Sequence, residues 1–268
     1  MSAQPWLDAR PPEGRLLSRR HFLALAAAGA AAACGGGSNP TAPGTASPSH
    51  ADGRLQARPQ AQRTSLSPGP HQLVFESGLD EGMIYVPHGV DSSQLLPLAV
   101  MLHGGGGTSI TMESTVPLAE EFGVVLLVPD ARARTWDAVV GSFGPDVAFI
   151  DGALARTFAG CGIDPGRITL GGISDGATYA LALGLVNGDL FTGIVAFSPG
   201  FLKPVPRHGK PRVFVSHGTR DTVLNIDIGS RAIVRQLLAE GYDVTYREFD
   251  GGHYVPDEIA REAFAWLS

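Results

Sequence analysis

The chain has 268 residues, 44% hydrophobic and 17% charged, which suits one sizeable folded domain plus extensions. Its net charge of −6, from 20 basic and 26 acidic residues, argues against a nucleic-acid partner. Two cysteines, Cys34 and Cys161, are too few for a disulfide framework or a cysteine-rich zinc site. The eight histidines form neither an H-E-x-x-H pattern nor a tight cluster, so no metal dependence is expected.

The N-terminus reads as an address. Arg15, Arg19 and Arg20 precede a short apolar run from Phe22 to Ala33, too short to span a bilayer comfortably and laid out like a secretory signal. Ser18-Arg19-Arg20-His21-Phe22-Leu23 resembles the twin-arginine export motif of bacterial proteins, with an ordinary signal as the alternative. Residues 1–33 are therefore expected to be a signal peptide. Cys34, between Ala31-Ala32-Ala33 and Gly35-Gly36-Gly37, resembles a bacterial lipoprotein cleavage site, although Ala31 stands where that pattern prefers leucine. Cleavage at an Ala-x-Ala site with release competes with lipidation. The expectation is an exported protein, either tethered to the membrane through Cys34 or secreted. The first 33 residues hold four arginines and two acids; without them 16 basic and 24 acidic residues remain, a net charge of −8. From 34 to 70 the chain is rich in Gly, Ser, Thr, Pro, Ala and Gln without apolar periodicity, which predicts a flexible linker.

The folded domain is expected over 71–268. Leu73-Val74-Phe75 and Met83-Ile84-Tyr85-Val86 predict an antiparallel pair. The continuous apolar run Leu98 to Leu102 predicts a strand buried on both faces. Further strands are expected at Val124 to Val128, Ile168 to Leu170, Gly193 to Phe197, Arg212 to Val215 and Val244 to Phe249. Helices are expected at Met112 to Phe122, Val147 to Phe158, Gly176 to Leu185, Ile228 to Glu240 and Asp257 to Trp266. This alternation specifies an α/β fold, a mostly parallel sheet with helices on both faces and no large cap domain. Functional groups then belong beyond the carboxyl ends of the strands.

Four features sit there. Gly172-Ile173-Ser174-Asp175-Gly176 joins a β-prone run to an Ala/Leu-rich helical one, the setting in which G-x-S-x-G presents a nucleophilic serine on a strained turn. The bland alternative is a glycine-rich turn. His103-Gly104-Gly105-Gly106-Gly107 follows the third strand and resembles an oxyanion loop, in which the N–H of Gly105, less surely Gly104, would join that of Asp175. His103 itself is expected to order the loop. Asp221 ends the seventh strand and His253 the eighth, in the order Ser-Asp-His that this fold uses. Asp227 and Asp250 compete for the acid role but lie, respectively, far from the strand end and too close to His253. His217 is badly placed to act as base. Asp175 follows the apex, so its side chain is expected to point away and sit at the helix N-terminus. Trp136 and Phe143 either line the pocket or pack beneath the elbow, and His103 and Gly104 are further candidates for the pocket lining. Cys161 reads as a buried thiol without a catalytic role.

Together, Leu102 to Gly107, Ile163 to Ile168 leading into the elbow, His217-Gly218-Thr219-Arg220-Asp221 and Gly251-Gly252-His253 resemble the phospholipase/carboxylesterase branch of the α/β-hydrolases. Similar segments occur in bacterial feruloyl esterases and polyhydroxybutyrate depolymerases, although Asp175 departs from the Gln, Met or Asn usual there. The resemblance implies a cofactor-free serine hydrolase of small to medium carboxylic esters with Ser174, Asp221 and His253 as its triad. Its alternatives are a polyester depolymerase, a feruloyl esterase, a peptidase or a non-catalytic surface binding module.

Overall fold

A computed structural model describes residues 50–60, 66–75, 80–90 and 94–268. The eight strands are β1 (Gly69–Val74), β2 (Asp80–Val86), β3 (Leu96–Leu102), β4 (Val125–Pro129), β5 (Ile163–Ile173), β6 (Gly193–Phe197), β7 (Arg212–Gly218) and β8 (Val244–Phe249). They form one sheet in the order β1-β2-β4-β3-β5-β6-β7-β8. β2 runs antiparallel to β1 and β4, and all other neighbours are parallel. Every strand expected from the sequence is present, because each central one is a run that must be apolar on both faces. In β3, Leu98, Val100 and Leu102 enter one core while Ala99 and Met101 enter the other.

Among the described residues six helices cover the sheet: α1 (Val116–Phe122), α2 (Asp137–Val140), α3 (Pro145–Gly160), α4 (Asp175–Val186), α5 (Ser230–Ala239) and α6 (Asp257–Leu267). α4 is buried on all sides from Gly176 to Val186, which explains its almost uninterrupted Ala/Leu composition. α6 instead buries one stripe, Ile259, Ala260, Ala263, Phe264 and Leu267. Burying a side chain such as Phe264 contributes about 1.5–3 kcal/mol. The helix expected over 112–122 is divided into a 3-10 segment, Ser109–Thr115, and α1. Pro117 imposes the division: it lacks an N–H and would clash with a carbonyl one turn earlier, so it is accommodated in the first turn of α1. The single turn α2 has no counterpart in the expected elements.

The larger departure is at the N-terminal side. Residues 50–60, expected within a free linker, dock on the domain, so the folded unit reaches back to His50 rather than starting at 71. Leu55 is 1% exposed and joins the core shared with α3 and α4. Asn187, just past α4 and fully buried, receives the Leu55 N–H at 2.9 Å and donates to Gly53 O at 2.8 Å. Asp151 Oδ1 accepts from the N–H groups of Gln56 and Ala57 at 2.7 and 2.8 Å. Arg54 grips Asp189 with two bonds of 2.7 and 2.8 Å, and Arg58 adds one of 3.0 Å. The Arg54 hydrogen bond holds the Asp189 carboxyl down at about 2. Farther along, Leu66 N–H donates to Gly160 O at 2.8 Å. The expected signal peptide and Cys34 lie outside the described residues. Cys161 is buried as expected.

Candidate active site

β5 ends at Ile173, and Ser174 turns the chain into α4 with φ 58° and ψ −120°. Such a backbone costs a residue with a Cβ about 1–3 kcal/mol, so its surroundings must impose it. They do so through close backbone approach. A Cβ on Gly172 would lie 2.6 Å from the carbonyl carbon of Gly176 and 2.7 Å from Leu102 O. One on Gly176 would overlap Leu102 O and come within 2.5 Å of His103 O. Ser174 N–H is tied to Phe197 O at 2.9 Å, and Ser174 O accepts from Thr178 N–H at 3.0 Å to begin the helix.

The loops after β7 and β8 bring Asp221 and His253 together. His253 Nδ1 is 2.6 Å from Asp221 Oδ2, with both side chains nearly or fully buried. Asp221 Oδ1 accepts from Val223 and Leu224 N–H at 2.8 and 2.9 Å. Burial alone would raise this carboxyl. The bonds from Leu224, His253 and Val223 together outweigh it, so the group lies below the usual aspartate range. The rival acids are engaged elsewhere: Asp227 pairs with Arg231 at 2.9 Å, and Asp250 with Arg220 at 3.0 Å, both on the surface. His217 does not reach the cavity. It lies behind Asp221, with Nε2 3.1 Å from Oδ2.

The loop after β3 is held from below. His103 Nδ1 donates to Gly104 O at 2.8 Å while Nε2 accepts from Ala131 N–H at 3.1 Å, an arrangement that fixes the proton on Nδ1. Burial pushes this imidazole down, which keeps it neutral. Gly106 and Gly107 N–H are taken by the carbonyls of Arg134 and Gly104. The N–H groups of Gly105 and Asp175 donate to no protein acceptor among the described residues. Asp175 does stand in the first turn of α4, but its side chain does not point away from the loop. Its carboxylate lies against Gly105 and accepts the Thr135 hydroxyl at 2.7 Å.

Ser174 and His253 line one cavity of about 280 Å³ with Gly104, Gly105 and Gly107. Thr111, Met112, Ile173 and Val223 complete the wall. Of the expected pocket residues only Gly104 is there. Trp136 is fully buried, with Nε1–H on His103 O at 2.9 Å and its ring stacked on Tyr179. Phe143 packs edge-on against the same Tyr179, and His103 is only 1% exposed. His103 and Trp136 support the loop from within, Phe143 packs beneath them on Tyr179, and none of the three lines the cavity. Met112, in the 3-10 segment, and Val223, on the loop after β7, went unrecognised because an apolar residue gives no sign of whether it faces the core or a cavity. No group of three or more His, Cys, Asp or Glu side chains suited to a metal occurs among the described residues.

The sheet order, the serine elbow between β5 and α4, and the acid and histidine after β7 and β8 define the chain as an α/β-hydrolase in fold. Its residues 147–263 match the phospholipase/carboxylesterase family. Acyl-protein thioesterase 1 of Gibberella zeae is 33% identical over 115 residues, 38% of this chain and 48% of that protein. The chain thus spans about half the length of the curated relatives it matches. Among solved structures, esterase PE8 is similar with a TM-score of 0.56 at 21% identity, over 70% of this chain and 97% of that one. A ferulic acid esterase from Anaeromyces mucronatus, solved with ferulic acid, is similar at 0.55 and 17%, over 80% and 97%.

Proposed function

We propose that the protein is a serine hydrolase cleaving small to medium carboxylic esters through an acyl-enzyme. The observation that carries this reading is one cavity shared by Ser174, on its strained apex, and His253, bonded through Nδ1 to buried Asp221 at 2.6 Å. With Nδ1 so engaged, Nε2 is the ring nitrogen left for the serine. Ser174 Oγ attacks the ester carbonyl carbon as its proton passes to His253 Nε2, and Asp221 stabilises the imidazolium. The oxygen of the tetrahedral intermediate takes the N–H groups of Gly105 and Asp175, each donor typically worth ~3 kcal/mol of barrier. Binding of the Asp175 carboxylate to Thr135 lets its backbone serve the oxyanion while its charge is partly neutralised by a donor. The carbonyl re-forms, the C–O bond to the alcohol breaks, and His253 returns the proton to the leaving group. Water then repeats the sequence on the acyl-enzyme.

Thioesters form a second substrate class, supported by the thioesterase relatives, which are 33–35% identical over their matched regions. The test is a fluorophosphonate probe followed by turnover of aryl, alkyl, feruloyl, polyester and thioester substrates. Labelling confined to Ser174, with turnover lost in Ser174→Ala, is expected. A folded wild-type protein left unlabelled would return the chain to the class of binding modules.

We also infer export from Arg19-Arg20 and the adjoining apolar run, with Cys34 as the lipid attachment point. Replacing both arginines by lysine should retain unprocessed precursor in the cytoplasm, and mass spectrometry should find a modified Cys34. Normal export of that double variant, or a free amino terminus elsewhere, would reject the respective assignment.

A further inference from the structure

Asp221 Oδ2 faces two imidazoles, and only one belongs to the proposed triad. The other is His217, the sixth residue of β7, whose side chain is wholly buried. Its Nε2 lies 3.0 Å from Leu224 O and 3.1 Å from Asp221 Oδ2, and its Nδ1 lies 2.7 Å from Ser230 Oγ. A carbonyl oxygen can only accept, so Nε2 carries the proton, shared between Leu224 O and the carboxylate. Nδ1 then accepts the Ser230 hydroxyl proton. Burial pushes this imidazole down, favouring the neutral ring that the hydrogen-bond pattern requires.

The consequences concern both position and charge. One rigid side chain on the sheet is bonded to the carboxylate, to the loop that carries it and to the first residue of α5. With two backbone N–H groups on Oδ1 and two imidazoles on Oδ2, the Asp221 carboxylate is fully hydrogen-bonded and cannot rotate without breaking several bonds. Val223, on the same loop, is a wall of the cavity, so the clamp also fixes part of the binding surface. Electrostatically, a donor on Oδ2 withdraws charge from the atom that stabilises the His253 imidazolium. The other charges nearby are already committed. Glu248, opposite His217 in the β7–β8 register, is paired with Arg231, which also holds Asp227. Arg220 and Asp250 pair at the surface.

We infer that His217 is a positioning residue which locks the Asp221 carboxylate, and with it His253, in the geometry the base needs. This rests on the serine-hydrolase reading above. Gln places an amide nitrogen near the Nε2 position of a histidine, whereas Asn reaches only as far as Nδ1, and Leu offers no donor. His217→Leu and His217→Asn should each lower kcat about tenfold with KM changed less than threefold. His217→Gln should recover most of the lost kcat. The downfield proton resonance of the His253–Asp221 hydrogen bond should shift in the Asn variant and return in the Gln variant, a readout that needs no turnover. Asn keeps a polar group at the site, so it serves if the Leu variant does not fold. A folded Asn variant with the wild-type kcat and resonance would overturn the proposal, as would Gln and Asn variants that behave alike. Failure of wild-type Ser174 to react with the fluorophosphonate would instead sink the underlying reading and leave the resonance test standing.

Discussion

Asn187→Ala tests the docking of residues 50–60 directly. The Asn187 side chain is fully buried and makes three hydrogen bonds, two of them to the segment: from Leu55 N–H at 2.9 Å and to Gly53 O at 2.8 Å. The third, to Leu183 O at 2.9 Å, lies within its own helix end. Alanine leaves the two segment groups without partners. A buried unsatisfied group costs about 1–3 kcal/mol, so an immovable segment would lose about 2–6 kcal/mol. The segment is not immovable, because it can detach and hydrate those groups. Detachment caps the loss at the free energy of docking. Leu55→Ala would cost about 2–5 kcal/mol in a rigid core and meets the same cap. The two single variants should therefore each lose about 2–3 kcal/mol in urea unfolding, and the double variant little more than either. Limited proteolysis should cut all three within 50–60 under conditions that spare the wild type. Additive losses in the double variant would refute the cap, and a loss below about 0.5 kcal/mol from Asn187→Ala would refute docking itself.

Three further outcomes are expected. Gly176→Ala would drive a Cβ into the carbonyl oxygens of Leu102 and His103, so soluble protein should fall sharply and any folded fraction should resist the fluorophosphonate; wild-type yield and labelling would show that the elbow yields easily. Ser174→Ala and His253→Ala should each lower kcat by ~10⁴ or more with little further loss in combination, since both disable one step; effects that multiply would contradict a shared role. The Asp189 carboxyl, held at about 2 by Arg54, contributes stability that is present above its unfolded value of about 3.9 and lost as pH falls through about 2. Proteolytic protection of 50–60 by pepsin should accordingly weaken between pH 4 and 2 in the wild type, with Asp189→Asn less sensitive over that range; identical pH dependence would remove Asp189 from the account.

The sheet was legible because β4, β6 and the Leu98–Leu102 and Val213–Val215 stretches of β3 and β7 are buried on both faces and so are written as apolar runs. The elbow was legible because its glycines answer to backbone contacts, which leave no other residue type available. Asp221 was separable from Asp227 and Asp250 by its place directly after β7, and its rivals prove to be paired with Arg231 and Arg220. Leu55 was not legible. It is a single apolar residue in a polar stretch, and its hydrogen-bonding partner Asn187 lies 132 positions away. Trp136 and Phe143 were placed near the site by chain order, but order along a loop does not say which face a ring presents. Asp175 misled for a related reason: its helix position was readable, whereas its partner Thr135 sits on another loop 40 residues earlier.

α4 gives the molecule two poles. Ser174 stands at its amino end and Asn187, with the docked Gly53–Leu55, at its carboxyl end, separated by 12 helical residues or about 18 Å. Any pull on the N-terminal arm therefore loads the pole away from the serine. The bonds that hold this pole are those of Asp151, Asn187 and Asp189 to residues 53–58. For a chain tethered ahead of residue 50, these bonds would act as a strain relief, spending tension before it reached the β5–α4 turn.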